Sequence, residues 1–232
     1  MEIDTVILAG GKGTRLKQVY KNKPKCLVPI NGRPFIDILL DNCIKKGLRN
    51  FIICVGVYSD QVVNYLSSRT DCDIIFSYES KPLGTGGALK NAVNSITSDP
   101  FILMNGDSFI DYDIIEAINN KTDFLGSILL YQNSNSKSFG AVNINSEGIV
   151  IEFSEKSNQL ETKLLNAGRY IFSKKLFDFF PTKNKFSLEY DILPIIAKKK
   201  LMNSLISKND SYDIGTPNRL KKAEDYFNEL QN

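Results

Sequence analysis

Apolar runs of strand length alternate with helix-period patterns through the first half of the chain. Residues 5–9 carry a buried-strand signal and lead straight into the glycines of 10–13. Residues 35–46 follow a helical period, with Ile36, Leu39, Leu40 and Cys43 on one face and Gly47 as a stop. The β-branched run 51–55 predicts a strand, and 59–68 a helix with Ser59 as its cap. A strand at 74–78, a helix at 88–96 and a buried strand at 101–104 continue the alternation. The last of these ends on Asn105-Gly106-Asp107. Strand–helix repetition predicts an α/β fold with a Rossmann-like, mostly parallel sheet flanked by helices.

Beyond residue 124 the rhythm changes. Residues 125–131, 141–144, 149–153 and 164–172 are short strand signals, separated by turn-rich stretches at 133–138 and 145–148. They predict a small antiparallel or mixed extension lying over the carboxyl edge of the sheet. Helices at 188–200 and 217–230 close the chain, with Pro217 suited to a first helical turn. With no internal repeat and no linker, residues 1–232 read as one domain, a nucleotide-binding half to about 130 and a second half from about 131.

Composition narrows the chemistry. At 232 residues and 42% hydrophobic, the chain can bury a sizeable core. Its apolar stretches fall far short of a membrane span. The opening Met1-Glu2-Ile3-Asp4 is acidic where a secretory leader is basic, which points to a cytoplasmic protein with no membrane partner. A net charge of +3, with lysines scattered among Asn and Ser, argues against a nucleic-acid partner. The four cysteines lack the close pairing of a zinc site, and there is no histidine. Histidine triads, histidine metal sites and the usual general base are therefore excluded. Carboxylates, Lys, Arg and backbone amides must do the chemistry.

The strongest local feature is Leu8-Ala9-Gly10-Gly11-Lys12-Gly13-Thr14-Arg15-Leu16. Glycines after a buried strand leave backbone N–H groups in a concave loop that can cradle phosphate, and Arg15 adds a fork of donors. A tight strand-to-helix turn would also use glycines. Leu16 replaces the third glycine of a dinucleotide fingerprint, and no Gly-Lys-Ser/Thr makes a Walker A loop.

Followed by Pro24-Lys25, this loop resembles the signature of the sugar-1-phosphate nucleotidyltransferases, the family of the GDP-mannose and dTDP-glucose pyrophosphorylases. The likeness continues in order through Pro82-Leu83-Gly84-Thr85-Gly86-Gly87, Asn105-Gly106-Asp107, Phe139-Gly140, Glu155-Lys156, Asn166-Ala167-Gly168 and Asp213-Ile214-Gly215-Thr216-Pro217. It implies a Mg²⁺-dependent enzyme that joins a nucleoside triphosphate to a sugar 1-phosphate and releases pyrophosphate. The attacking phosphate is already anionic, so no general base is needed, in keeping with a chain that has no His. Arg15 and Lys25 match the family's triphosphate and leaving-group cations. Asp107 and Asp213 match its metal carboxylates, and hard oxygen ligands suit Mg²⁺. Leu8, Ala9, Gly10, Gly11, Gly13, Thr14 and Asn105 fall in the nucleotide site, while Gly84, Thr85, Gly86 and Gly106 flank the base. Lys156 meets the sugar's phosphate, Glu155 the sugar hydroxyls, and Gly140, Asn166 and Gly168 complete that pocket. Asp107 as a turn cap, Lys25 as a surface lysine and Glu155-Lys156 as an exposed dipeptide are the bland alternatives.

The match departs at Lys17-Gln18-Val19-Tyr20, where many members carry Pro-Thr, and at Pro24-Lys25-Cys26 in place of Pro-Lys-Pro. No left-handed β-helix repeat is present. Asn31-Gly32-Arg33-Pro34-Phe35 and Ser187-Leu188-Glu189 resemble the heptose 1-phosphate guanylyltransferase branch, which favours GTP. Mannose-1-phosphate guanylyltransferases and short amino-sugar uridylyltransferases remain alternatives, and a homodimer is compatible. From other classes, an oxidoreductase lacks a His or Tyr-x-x-x-Lys. A silent regulatory relative would have lost one of Arg15, Lys25, Asp107, Lys156 or Asp213, and all five are present.

Overall fold

Parallel pairing at the centre of the sheet follows from the strand–helix alternation, because parallel neighbours need a crossover between them. The computed structural model describes residues 2–11, 13, 16, 20, 22–119, 124–133, 140–155 and 162–230. Strand β1 (Asp4–Leu8) is followed by a two-residue hairpin, β2 (Pro29–Ile30) and β3 (Arg33–Pro34). Then come α1 (Phe35–Lys45), β4 (Asn50–Val55), α2 (Ser59–Leu66), β5 (Asp73–Tyr78), α3 (Gly84–Asn91) and β6 (Phe101–Asn105). The second half holds β7 (Ser108–Phe109), α4 (Ile114–Asn119), β8 (Gly126–Gln132), β9 (Ala141–Ile144), β10 (Val150–Ser154) and β11 (Leu164–Phe172). It ends with α5 (Leu193–Lys198), β12 (Met202–Ser207), β13 (Tyr212–Asp213) and α6 (Pro217–Glu229).

One mixed sheet runs in the order β10-β9-β11-β6-β1-β4-β5, with β8 joined to β11 and β12 to β8. Strands β1, β4, β5 and β6 are parallel, and β11 lies antiparallel to β6. Neighbouring positions point to opposite faces, so each strand feeds two cores. Val6, Ile52 and Leu103 face α3 and α5, whereas Ile7, Ile53 and Met104 face α1, α2 and α4. A third cluster seats α6 through Leu220, Ala223 and Phe227 against Phe35, Phe109 and Ile214. Among the described residues no helix is long and apolar enough to cross a membrane.

Strand β11 outruns β6. Its end, Arg169 to Phe172, pairs with Met104 to Phe101, while Leu165 lies beyond β6 and pairs with Ala141 of β9. Strands β9 and β10 thereby carry the sheet past the carboxyl end of β6, the expected position of the extension. Between Asn166 and Tyr170 the register against β8 shifts, a bulge that holds Gly168 at φ +67°.

Three local expectations differ. Helix α2 begins after Tyr58 in a left-handed conformation with no side-chain cap, so Ser59 is the first helical residue and not the cap. Helix α3 starts at Gly84, four residues earlier than the apolar period indicates. Glycine is a poor helix former, but a Cβ at Gly86 would lie 2.3 Å from the Phe186 ring, and packing outweighs propensity there. The stretch 188–200 is a wide π-type turn, Leu188–Ile192, leading into α5. Pro194 lacks an N–H and its ring crowds the carbonyl four residues back, so a regular α-helix cannot pass through it. Strand β12 was not expected, because its polar-rich Met-Asn-Ser-Leu-Ile-Ser shows no clean alternation.

At the amino end of the sheet, buried Asp4 takes up donors that the turn before β6 leaves over. Its Oδ2 accepts from the backbone N–H of Thr97 at 2.5 Å and of Ser98 at 2.8 Å, and from the Thr97 hydroxyl at 2.9 Å. Asp4→Ala orphans these donors and lowers unfolding free energy by about 2–3 kcal/mol. Denaturant titration reads the loss, and turnover at saturating substrate stays at the wild-type value because the opposite edge is untouched.

Candidate active site

The carboxyl ends of β1, β5 and β6 and the start of α3 enclose a cleft of about 290 Å³. Leu8, Gly10 and Gly11 line it from β1, Asn105 and Asp107 from β6, and Gly84 and Thr85 from α3. Glu79, one residue past β5, completes the wall. A Cβ at Gly10 would meet Glu79 Oε1 at 2.6 Å and the Gly56 backbone N at 3.3 Å, so a side chain there would displace the Glu79 carboxylate. Ala9 N–H donates to Cys54 O at 3.0 Å and Gly106 N–H to Leu8 O at 3.0 Å, so the turn after β1 is tied to β4 and the turn after β6 to β1.

At the β6 side Lys25 Nζ donates to Asp107 Oδ2 at 2.5 Å. The lysine side chain is 11% exposed and its partner 40%. Lys25 arrives on a short 3₁₀ turn after Pro24, and Gly13, at φ +57°, lies beside it. Next to it, burial pushes the Cys26 thiol up to about 12, which leaves a neutral sulfur and no nucleophile.

Asp213 reaches the same region on β13. Ile214 N–H donates to Asp107 O at 3.0 Å, and Asp213 pairs in register with Ser108 of β7. Its Oδ1 accepts from Gly215 N–H at 2.8 Å and from Arg219 Nη1 at 3.2 Å. The two carboxylates thus sit on paired segments. Among the described residues no group of three or more Cys, Asp or Glu is placed to hold a metal ion. Two carboxylates completed by phosphate oxygens and water are a donor set that Mg²⁺ accepts. Among the described residues the buried Asn105 Oδ1 has no hydrogen-bond partner, and an orphaned acceptor in a cleft calls for a ligand or water donor.

The second constellation lies past β6, on β9, β10 and β11. Asn166 N–H donates to Gly140 O at 2.9 Å, and a Cβ at Gly140 would meet Glu155 Oε2 at 2.8 Å. Asn166 Nδ2 donates to the Tyr170 hydroxyl at 2.7 Å, and its Oδ1 accepts from Gly168 N–H at 2.9 Å. Gly168 packs against the Asn105 amide, which joins this group to the cleft. Gly86 sits against Phe186 and is not among the residues that line the cleft. Thr14, Arg15 and Lys156 lie outside the described residues.

Glu79 and Arg169 escaped the sequence reading, and Glu189 entered it only within the Ser187-Leu188-Glu189 motif, without a role of its own. Glu79 is half-buried, with Oε2 accepting from Leu83 N–H at 2.9 Å, and burial raises its pKa while that N–H lowers it. Its signal was available, since it follows a strand at the ligand edge of an α/β sheet. Glu189 accepts from the Ser187 hydroxyl at 2.7 Å and from the Thr85 hydroxyl, and so ties the turn before α5 to the start of α3. Arg169 is 3% exposed and stands out as a charge within an apolar strand.

The nucleotidyl transferase family profile matches residues 4–229. The chain is 32% identical over 231 residues to the D-glycero-alpha-D-manno-heptose 1-phosphate guanylyltransferase of Campylobacter jejuni, covering 99% of this chain and 100% of that protein. It is 31% identical to the enzyme of the same name from Aneurinibacillus thermoaerophilus, covering 96% and 97%. The crystal structure of HddC from Yersinia pseudotuberculosis complexed with GMP-PN superposes with a TM-score of 0.84 at 33% identity, covering 97% of this chain and 99% of that one. A profile that spans the chain, relatives matched end to end and a cleft of this geometry agree: the chain belongs to the nucleotidyl transferase family.

Proposed function

We propose that this protein transfers the guanylyl group of GTP to a sugar 1-phosphate, most specifically D-glycero-D-manno-heptose 1-phosphate, releasing pyrophosphate. The observation that carries the reading is the cleft itself, with the Lys25–Asp107 pair on the β6 side of β1 and the Glu79 carboxylate on the β5 side. A carboxylate can accept from N1–H and the 2-amino group of guanine together. Uracil and thymine offer only one ring N–H flanked by carbonyl oxygens, which a carboxylate repels.

In the reaction a phosphate oxygen of the sugar 1-phosphate bonds to the α-phosphorus as the α–β bridging bond breaks. The difficulty is charge, because two anions meet and the leaving group gains more. Lys25 supplies a cation beside Asp107, and Arg15 is the expected second. Asp107 and Asp213 would hold Mg²⁺, which when bound offsets triphosphate charge and polarises the reacting phosphorus. Glu155 and Asn166, with the Gly140 and Gly168 backbone, form the expected sugar-hydroxyl site, and Lys156 is the expected partner of the sugar phosphate.

Pyrophosphate release across four nucleoside triphosphates and several sugar 1-phosphates, with and without Mg²⁺, tests the proposal. Its peak is expected with GTP and the manno-configured heptose 1-phosphate; a peak with UTP or dTTP and negligible GTP use would reject it. Asp107→Ala should lower kcat by about 100-fold or more, as removal of one preorganised electrostatic group does. Its circular dichroism spectrum should match the wild type.

Glu79→Gln should weaken GTP use by about 10–100-fold, the cost of a charge-assisted bidentate contact, and raise the UTP-to-GTP ratio of kcat/KM. The raised Glu79 pKa sets the sign of a pH effect. The carboxylate is protonated at a higher pH than an ordinary glutamate, so GTP affinity falls as pH drops through that raised value. Glu79→Gln lacks that limb, whereas titration of the triphosphate is common to both proteins.

A further inference from the structure

A guanidinium buried to 3% exposure, with no carboxylate at ion-pair distance among the described residues, needs an explanation. Removing an arginine from water without a counter-ion is costly, and the structure compensates it with carbonyls. Arg169 Nη1 donates to Asn105 O at 3.1 Å, Ser108 Oγ at 3.2 Å and Gly168 O at 3.0 Å, and Nη2 donates to Ser108 O. Burial lowers its pKa, and the fields of Tyr112, Cys43 and Asp107 act in the opposite direction. A cavity of about 10 Å³ between Arg169, Tyr112 and Ser127 has room for one water.

Two of those acceptors bracket Asp107. Asn105 lies two residues before it and Ser108 one after, so a single planar fork grips the backbone turn that presents the carboxylate. The third acceptor is Gly168, in the bulge of the sugar-side constellation. Simple satisfaction of buried carbonyls would not require a charged group, and a neutral donor would avoid the desolvation cost.

We infer that Arg169 is a positioning residue for the Asp107 carboxylate, fixing it for a divalent cation and locking the metal turn to the Asn166–Gly168 loop. The inference rests on the proposed metal role of Asp107. Groups that orient a metal ligand without touching the ion characteristically set affinity by about 10–100-fold, because a ligand free to rotate must be ordered on binding.

The experiment is calorimetric titration of the β,γ-imido analogue of GTP into the full chain, with and without Mn²⁺. The readout is the ratio of the two dissociation constants, the factor by which metal tightens nucleotide binding. Arg169→Met should lower that ratio about 10-fold or more while the metal-free constant stays within about twofold. Arg169→Lys keeps the cation but loses the fork, and should fall between Arg169→Met and wild type. It decides the matter alone if Arg169→Met does not fold by circular dichroism. Asp107→Ala separates the two ideas. If it leaves the ratio intact, the metal assignment of Asp107 fails. If it collapses the ratio while the folded Arg169 variants keep the wild-type value, Arg169 serves packing only and the inference is overturned.

Discussion

Parallel strands release the chain at one edge, and that constraint organises the whole site. Strands β1, β4, β5 and β6 run the same way, so the turns after them gather at a single rim. Gly10 follows β1, Gly56 follows β4, Glu79 follows β5 and Asp107 follows β6. None of these residues is near another in sequence, yet pairing places them side by side. Gly10 and Gly56 must be small because their backbones meet: a Cβ at Gly56 would lie 2.9 Å from Gly10 O. The rim is therefore narrow over β1 and carries its charge on either side of it.

Strand β11 converts this one-sided rim into a cleft with two parts. Running antiparallel to β6, it enters beyond the carboxyl end and lends its leading residues to β8 and β9 before it reaches Arg169. A regular strand there would continue its alternation. The bulge at Gly168 interrupts it, so Asn166 bonds within its own loop and to the Tyr170 hydroxyl while Arg169 turns under the Asp107 segment. One strand thus touches both the Asn105–Ser108 turn and the Asn166–Gly168 loop, which ties the geometry of each to the other.

Much of this was legible because it is local. Apolar periods at 5–9, 35–46, 51–55 and 164–172 report burial on one or both faces, and the observed strands and helices fall within a residue of them. The parallel centre and the antiparallel extension followed from their order. What escaped depends on partners distant in sequence. The start of α3 is set by Phe186, about a hundred residues away, and no local pattern carries that information. Strand β12 forms because β8 offers it an edge, although its own residues are mixed in polarity. Arg169 was visible as a charge in an apolar run, but its acceptors are backbone carbonyls, which every residue has. The meeting of Lys25 with Asp107 likewise joins two motifs that sequence reading keeps apart.

That meeting bears on how a chain without histidine can run this chemistry. Both substrates are anions, so a cleft lined with bare cations would bind them strongly before reaction. Such uniform attraction lowers KM without raising kcat. Here the described cations next to the cleft are already committed, Lys25 to Asp107 and Arg219 to Asp213, while Arg169 is held by carbonyls. Committed charges are ordered in advance, and their field is fixed in direction before substrate arrives. Ground-state attraction is tempered by the paired carboxylates, and the field of each ordered pair is in place before charge builds on the leaving group. For a reaction whose nucleophile needs no deprotonation, this arrangement supplies what a general base would not: an electrostatic environment that answers to the change in charge.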